Sequence, residues 1–138
     1  MSRIVAIDFG VSRTGLAISD PLGIIANGLE TVSTRDVMSV LQRIDGEMPF
    51  DQIVVGEPKR MSGEPSLVEG NIRHFMEALK QKFPSKQLHR FDERFTSKIA
   101  MQTMIDMGSS KRQRADKGNI DKISATLILQ EFLNQKPA

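Results

Sequence analysis

Apolar residues run unbroken over Ile4-Val5-Ala6-Ile7 and stop at Asp8. A short continuous apolar run bounded by a turn marks a strand buried on both faces, so residues 3–9 are predicted as a first strand. Gly10-Val11-Ser12-Arg13 is a tight turn, and Thr14-Gly15-Leu16-Ala17-Ile18-Ser19 opens a second strand over 14–20. Residues 24–32 form a third. Links this short join antiparallel neighbours. From Thr34 the period changes: Val37, Val40, Leu41 and Ile44 fall on one helical face, with Ser33 or Thr34 to cap it and Gly46 to Pro49 to end it. Gln52-Ile53-Val54-Val55-Gly56 predicts a fourth strand, and Glu57 to Pro65 a loop. A helix opening at Pro65 or Ser66 lines up Leu67, Val68, Ile72, Phe75, Met76 and Leu79. Residues 86–91 form a fifth strand that runs into Asp92-Glu93-Arg94. A further helix turns Ile99, Ala100, Thr103, Met104 and Met107 inward, methionines at that spacing being core filling. Residues 108–118 read as a mobile loop. Asn119 caps a last helix carrying Ile120, Ile123, Leu127, Ile128, Phe132 and Leu133. The order predicts one α/β domain over 1–138 with a mixed five-stranded sheet, three antiparallel strands and then two parallel ones, flanked by helices.

Composition narrows the chemistry. The 138 residues contain no cysteine, which excludes disulfides, a thiolate nucleophile and a cysteine zinc site. No stretch is long and apolar enough for a membrane span. Met1-Ser2-Arg3 enters the first strand at once and leaves no room for a signal peptide, so a cytoplasmic protein is expected. The net charge of +2 says little, but its distribution says more. Lys111-Arg112-Gln113-Arg114-Ala115-Asp116-Lys117 sets four positive charges against one negative, and Lys80, Lys82, Lys86 and Arg90 add a second basic stretch. Basic stretches on a balanced chain suit a polyanion, although a run of this kind is more commonly a solvated loop.

Three acids stand where chemistry is expected. Asp8 ends a buried strand, where an unpaired charge is costly and calls for a metal, a phosphate-bound ion or a cage of hydrogen bonds. It reads equally as the cap of the turn into Gly10. Glu93 follows the fifth strand and reads also as a partner of Arg94 or a cap of the next helix. Asp121 shares a helical face with Ala125, Ile128 and Phe132, which points it toward the sheet; taken alone, it complements the helix dipole. Converging carboxylates without a counter-ion would repel and take up protons. With Mg²⁺ or Mn²⁺ they become ligands, and two such ions can activate a water and stabilise the leaving oxygen of a phosphodiester.

Four segments together resemble the YqgF-type family of small bacterial proteins with a ribonuclease-H-like fold, described as pre-16S rRNA nucleases and as Holliday-junction resolvases. They are Ile7-Asp8-Phe9-Gly10 with Thr14-Gly15-Leu16-Ala17; Ile53-Val54-Val55-Gly56-Glu57-Pro58 with Met61-Ser62-Gly63; Asp92-Glu93-Arg94-Phe95-Thr96-Ser97; and Ile120-Asp121 with Ser124-Ala125. The resemblance covers nearly the whole chain. It implies a metal-dependent endonuclease with Asp8, Glu93 and Asp121 as catalytic acids and metal ligands, Arg13 and Arg94 as basic neighbours, and a two-metal Mg²⁺ or Mn²⁺ site. Pre-16S rRNA, trimmed at its 5′ end during ribosome biogenesis, is the expected substrate, with branched DNA as the alternative and ribosome precursor particles as partners of a monomer or homodimer.

Three positions depart from the family pattern. Glu57 replaces an apolar residue, at the strand end where related nucleases carry their second acid. It is a possible metal ligand, and otherwise a solvated glutamate beside Lys59 and Arg60. Lys122 replaces a small residue and is expected to point away from the site. Phe91 replaces a polar one, with no evident consequence. Arg13, Lys59, Arg60, Arg94, Lys111, Arg112, Arg114 and Lys117 are the candidate phosphate contacts, which position a nucleic acid without reading its sequence. With no Trp or Tyr in the chain, a base-stacking platform is poorly supported; recognition of backbone and shape is expected. A non-catalytic assembly factor is the competing reading, which a complete acid triad disfavours. An actin-like or sugar-kinase reading of Asp8-Phe9-Gly10 with Thr14-Gly15 fails on length, because those folds need a second phosphate loop.

Overall fold

A computed structural model of the chain describes residues 3–57, 68–92 and 117–135, with the backbone alone over 117–122. Its elements are β1 (Arg3–Asp8), β2 (Arg13–Ser19), β3 (Ala26–Ser33), a 3₁₀ turn (Thr34–Asp36) leading into α1 (Val37–Glu47), β4 (Phe50–Glu57), α2 (Glu69–Lys82), β5 (Gln87–Asp92) and α3 (Lys117–Gln135). The strands form one sheet in the order β3-β2-β1-β4-β5. β1 pairs antiparallel with β2, and β2 antiparallel with β3. β4 lies parallel to both β1 and β5, as the element order predicts.

The alternation of side chains across the sheet builds two cores from the same strands. Val5 and Ile7 of β1 join Leu16, Ile18, Ile53 and Val55 beneath Val37, Leu41 and Ile44 of α1 and Ile72, Phe75 and Leu79 of α2. Ile4 and Ala6 face the other way, joining Ala17, Val54 and the α3 residues Ala125, Ile128 and Leu129. Both faces of β1 are thus covered, which explains its unbroken apolar run. Each large aliphatic side chain buried in this way contributes about 1.5–3 kcal/mol.

Three element starts differ from the sequence reading. Neither Ser33 nor Asp36 makes a side-chain cap at the start of the 3₁₀ turn or of α1. The Thr34 hydroxyl is used elsewhere, donating to the Gly10 carbonyl at 2.6 Å and bonding the Thr14 hydroxyl at 2.8 Å. α2 begins at Glu69, not at Pro65 or Ser66, with Val68 already out of helical geometry. α3 begins at Lys117, so Asn119 lies inside the helix and is not its cap. A helix needs no side-chain cap where water can satisfy its first N–H groups, so capping residues mark a start only loosely. The predicted helix around Ile99–Met107 and the basic loop before Lys117 lie outside the described residues.

Candidate functional site

Asp8 ends β1, half-buried, directly opposite Gly15 of β2. On its other side Ile7 is level with Val55, so the next position of β4 is Gly56. Asp8 follows Ile4 and Ala6 in the strand alternation, which puts it on the face covered by α3. The carboxylate therefore rises from a strip of sheet whose flanking positions carry no side chains. Behind it lie small residues, with Ala6, Ala17 and Ala125 fully buried and Ser124 nearly so. Gly15 and Gly56 put no side chain beside the acid, and Phe91 of β5 lies level with Gly56 on the same face.

The turn after Asp8 is fixed in place. Besides the Thr34 hydroxyl bond to Gly10, the Thr34 N–H donates to the Ser12 carbonyl at 3.0 Å. A Cβ built on Gly10 would collide with the Arg13 carbonyl oxygen, so this position tolerates no side chain without moving the turn. Arg13 opens β2, exposed, two residues before Gly15 and hence on the same face as Asp8. The structure thus brings Arg13 and Asp8 to one edge of one face. Asp121 lies in α3, one turn before the fully buried Ala125; its side chain, like those of Glu93 and Arg94, is outside the described residues.

Glu57 is placed differently. It follows Ile53 and Val55 in the alternation of β4, on the α1–α2 face, and is level with Asp92 of β5. The β4 position level with Asp8 is Gly56. The end of β4, where the sequence offers Glu57 as a possible metal ligand, meets Asp8 at Gly56, and Glu57 sits on the opposite face.

A second charged group supports this edge from below. Arg90 of β5 holds Glu69 of α2 with both terminal nitrogens, at 3.0 and 3.2 Å, and donates to the Gly56 carbonyl at 3.3 Å. Arg73 adds a bond to Glu69 at 3.2 Å. Arg90 above all, and then Arg73, hold the Glu69 carboxyl below the usual glutamate range against the opposing effect of burial. The cluster ties α2 and β5 to the strand end beside Asp8. Sequence reading misses it and places Arg90 in a polyanion-binding stretch. The Glu69–Arg73 spacing of four residues is its only trace in the sequence.

The same correction applies to Lys86. Its ammonium donates to Asp45 at 2.9 Å and to the Phe50 carbonyl, and lies 4.3 Å from the centre of the Phe50 ring. It is a part-buried tie between α1 and β4 at the entry to β5, its ammonium engaged by Asp45 and Phe50. Lys80 pairs with Glu77 on the exposed face of α2. Of the remaining candidate phosphate contacts, Lys117 falls in the first turn of α3, whereas Lys59, Arg60, Lys111, Arg112 and Arg114 are outside the described residues.

Among the described residues no three His, Asp or Glu side chains cluster as a metal site. Asp8 is a carboxylate oxygen donor at a strand end, a donor type that suits a hard divalent cation. Glu93 follows β5 in the sequence and Asp121 lies within α3; the side chains of both lie outside the described residues.

Comparison with known proteins gives a consistent picture. The family model described as "RuvX: Holliday junction resolvase" matches residues 2–135. A protein of Flavobacterium psychrophilum named "Putative pre-16S rRNA nuclease" is 46% identical over 99% of both chains. Relatives of the same name from Christiangramia forsetii and Bacteroides thetaiotaomicron are 47% and 46% identical over 96% and 99% of this chain and 98% and 99% of theirs. Among solved structures, Thermus thermophilus RuvC superposes with a TM-score of 0.55 at 12% identity over 95% of this chain and 93% of its own. The same protein in complex with a Holliday junction gives 0.53 at 12% identity, over 96% and 94%. That likeness establishes a shared RuvC-like, ribonuclease-H-type fold. No described helix is long and apolar enough to cross a membrane.

Proposed function

The chain belongs to the RuvX family, and from that premise we propose that it is a divalent-metal-dependent endonuclease that hydrolyses phosphodiester bonds in the 5′ region of pre-16S rRNA. The observation that carries this reading is Asp8, a carboxylate at a strand end between two glycine positions, on the face that α3 brings Asp121 toward. The names of full-length relatives supply the substrate.

Asp8, Glu93 and Asp121 would hold Mg²⁺ or Mn²⁺. Bound there, such ions activate a water and stabilise the leaving oxygen. Gly15, level with Asp8, puts no side chain in the way of a phosphate approaching from β2. Arg13, on the same face, offers a charge-assisted hydrogen bond to a phosphate oxygen. Arg94, Lys59, Arg60 and the 111–117 segment extend the positive charge along the nucleic-acid backbone, which favours association without base reading. Glu57 is given no role, because strand alternation sets it on the opposite face.

The family description favours a second substrate, a DNA junction. Offering structured precursor-rRNA fragments and a four-way DNA junction side by side, in Mg²⁺ and in Mn²⁺, decides between them. RNA cleavage in the 5′ precursor sequence is expected; cleavage of the junction alone would transfer the activity to DNA, and binding without cleavage in either metal would replace the enzyme by an assembly factor.

A further inference from the structure

Helix α2 borders a groove that the proposed chemistry does not use. Phe9, Gly70, Asn71, His74, Phe75 and Ala78 line it around an open volume of about 540 Å³, within the roughly 300–1,000 Å³ of small-molecule sites. Phe9 directly follows Asp8 and packs on the α1–α2 side of the sheet, its ring centre 4.9 Å from that of Phe75. The groove thus opens at the strand end that carries Asp8, on the other face of the sheet.

The helix itself does not need the small residues that keep this groove open. Gly70 lies in the first turn of α2. Its φ is not positive, and a Cβ built on it would meet nothing within 4 Å. Neither backbone conformation nor packing calls for glycine there, and alanine would favour the helix. Ala78, two turns on, is exposed and small as well. Between them stand Asn71 and His74, both exposed and without a hydrogen bond to any described residue. The amide offers donors and an acceptor, and a neutral imidazole offers one of each.

These groups fit one kind of occupant. The lining offers an aromatic ring to a flat partner and neutral donors and acceptors to its edge, with no Lys, Arg, Asp or Glu among them. Unpaired bases are recognised in this way, by stacking on aromatic side chains and by hydrogen bonds to their open edges. A paired base is held inside its duplex. A strand whose phosphate lies at Asp8 can therefore turn a base over the end of β1 only where that base is unpaired. We propose that the groove takes one unpaired nucleobase of the substrate, so that the enzyme selects an unpaired nucleotide beside the scissile phosphate. A row of stacked bases has little support in a chain without Trp or Tyr, but a single subsite needs one ring, and Phe9 supplies it. The base's place beside the scissile phosphate rests on the function proposed above.

The test compares wild type with Gly70→Leu/Ala78→Leu, which fills the groove, and with Asn71→Ala/His74→Ala, which removes its polar groups. Leucine is a strong helix former and both filled positions are exposed, so the unfolding midpoint is expected to hold or rise. Three RNA hairpins serve as probes: one fully paired, one with a single unpaired adenosine, and one with an abasic residue in place of that adenosine. Affinity is read by fluorescence anisotropy in EDTA, and cleavage in Mg²⁺ is read separately. Wild type is expected to bind the unpaired-base hairpin at least about fivefold more tightly than the abasic one, the low end of what stacking one base on an aromatic ring is worth. The filled variant should lose that preference and the polar variant should reduce it, with affinity for the paired hairpin unchanged in both. No preference in wild type, a preference kept in the filled variant, or an equal loss on all three hairpins would overturn the proposal. A base preference without cleavage would count against the nuclease reading alone, and cleavage without a base preference against the subsite alone.

Discussion

At the scale of single residues, Asp8 is the carboxylate on which the proposed chemistry turns. Removal of even an outer-shell partner of a metal ligand typically costs ten- to a hundredfold. Asp8→Asn, which keeps the shape and loses the charge, is therefore expected to lower cleavage by at least about a hundredfold with an unchanged unfolding midpoint. The same loss is expected for Glu93→Gln and Asp121→Asn; full activity in any of the three would remove that residue from the site. Glu57→Gln should stay within about threefold of wild type, since Gly56 and not Glu57 is level with Asp8. A loss matching that of Asp8→Asn would show that β4 supplies a ligand after all. Gly10→Ala probes the turn that follows: its methyl group meets the Arg13 carbonyl, and overpacking of this kind costs about 1–3 kcal/mol, readable in urea unfolding.

Among the elements, the Glu69–Arg90 pair joins α2, β5 and the end of β4. Because the folded state lowers the Glu69 pKa, the pair's contribution is complete above the glutamate's unfolded value of about 4.3. It disappears as pH falls through the lower folded value. Glu69→Gln should flatten the fall in unfolding free energy across that acid range. Arg90→Met, which leaves the largely buried Glu69 carboxylate with Arg73 alone, should lower the unfolding free energy near pH 7; identical acid limbs in wild type and Glu69→Gln would dismiss the pair. This is also where sequence reading reaches its limit. The five strands, the antiparallel first three and the two long helical faces follow from local apolar periodicity and short links, and β1 through β5 appear within two residues of expectation; the order in which β4 and β5 join the sheet does not. The roles of Arg90 and Lys86 do not follow, because their partners Glu69 and Asp45 lie 21 and 41 residues away, and only the fold brings them together. Asp8 is legible because an acid that terminates an apolar run is conspicuous. Its neighbours across the sheet are not, because the cross-strand register that aligns Gly15 and Gly56 with Asp8 is a tertiary property.

On the scale of the whole molecule, charge and function are segregated. One edge of the sheet gathers Asp8 with Arg13, and the hairpin at the far end displays Leu22, Ile24 and Ile25. Replacing Lys111, Arg112, Arg114 and Lys117 together with alanine should weaken nucleic-acid binding. It should also reduce the slope of log affinity against log salt by about 0.7–0.9 for each phosphate no longer neutralised; an unchanged slope would make that segment a bystander.

The account stands most directly on metal-dependent cleavage of pre-16S rRNA by the wild-type protein beside Asp8→Asn, followed through a Mg²⁺ titration and quenched with EDTA. It predicts discrete 5′ cleavage that rises with metal, stops on chelation and is absent from the variant. Cleavage that persists in EDTA, or that Asp8→Asn performs at the wild-type rate, would contradict it.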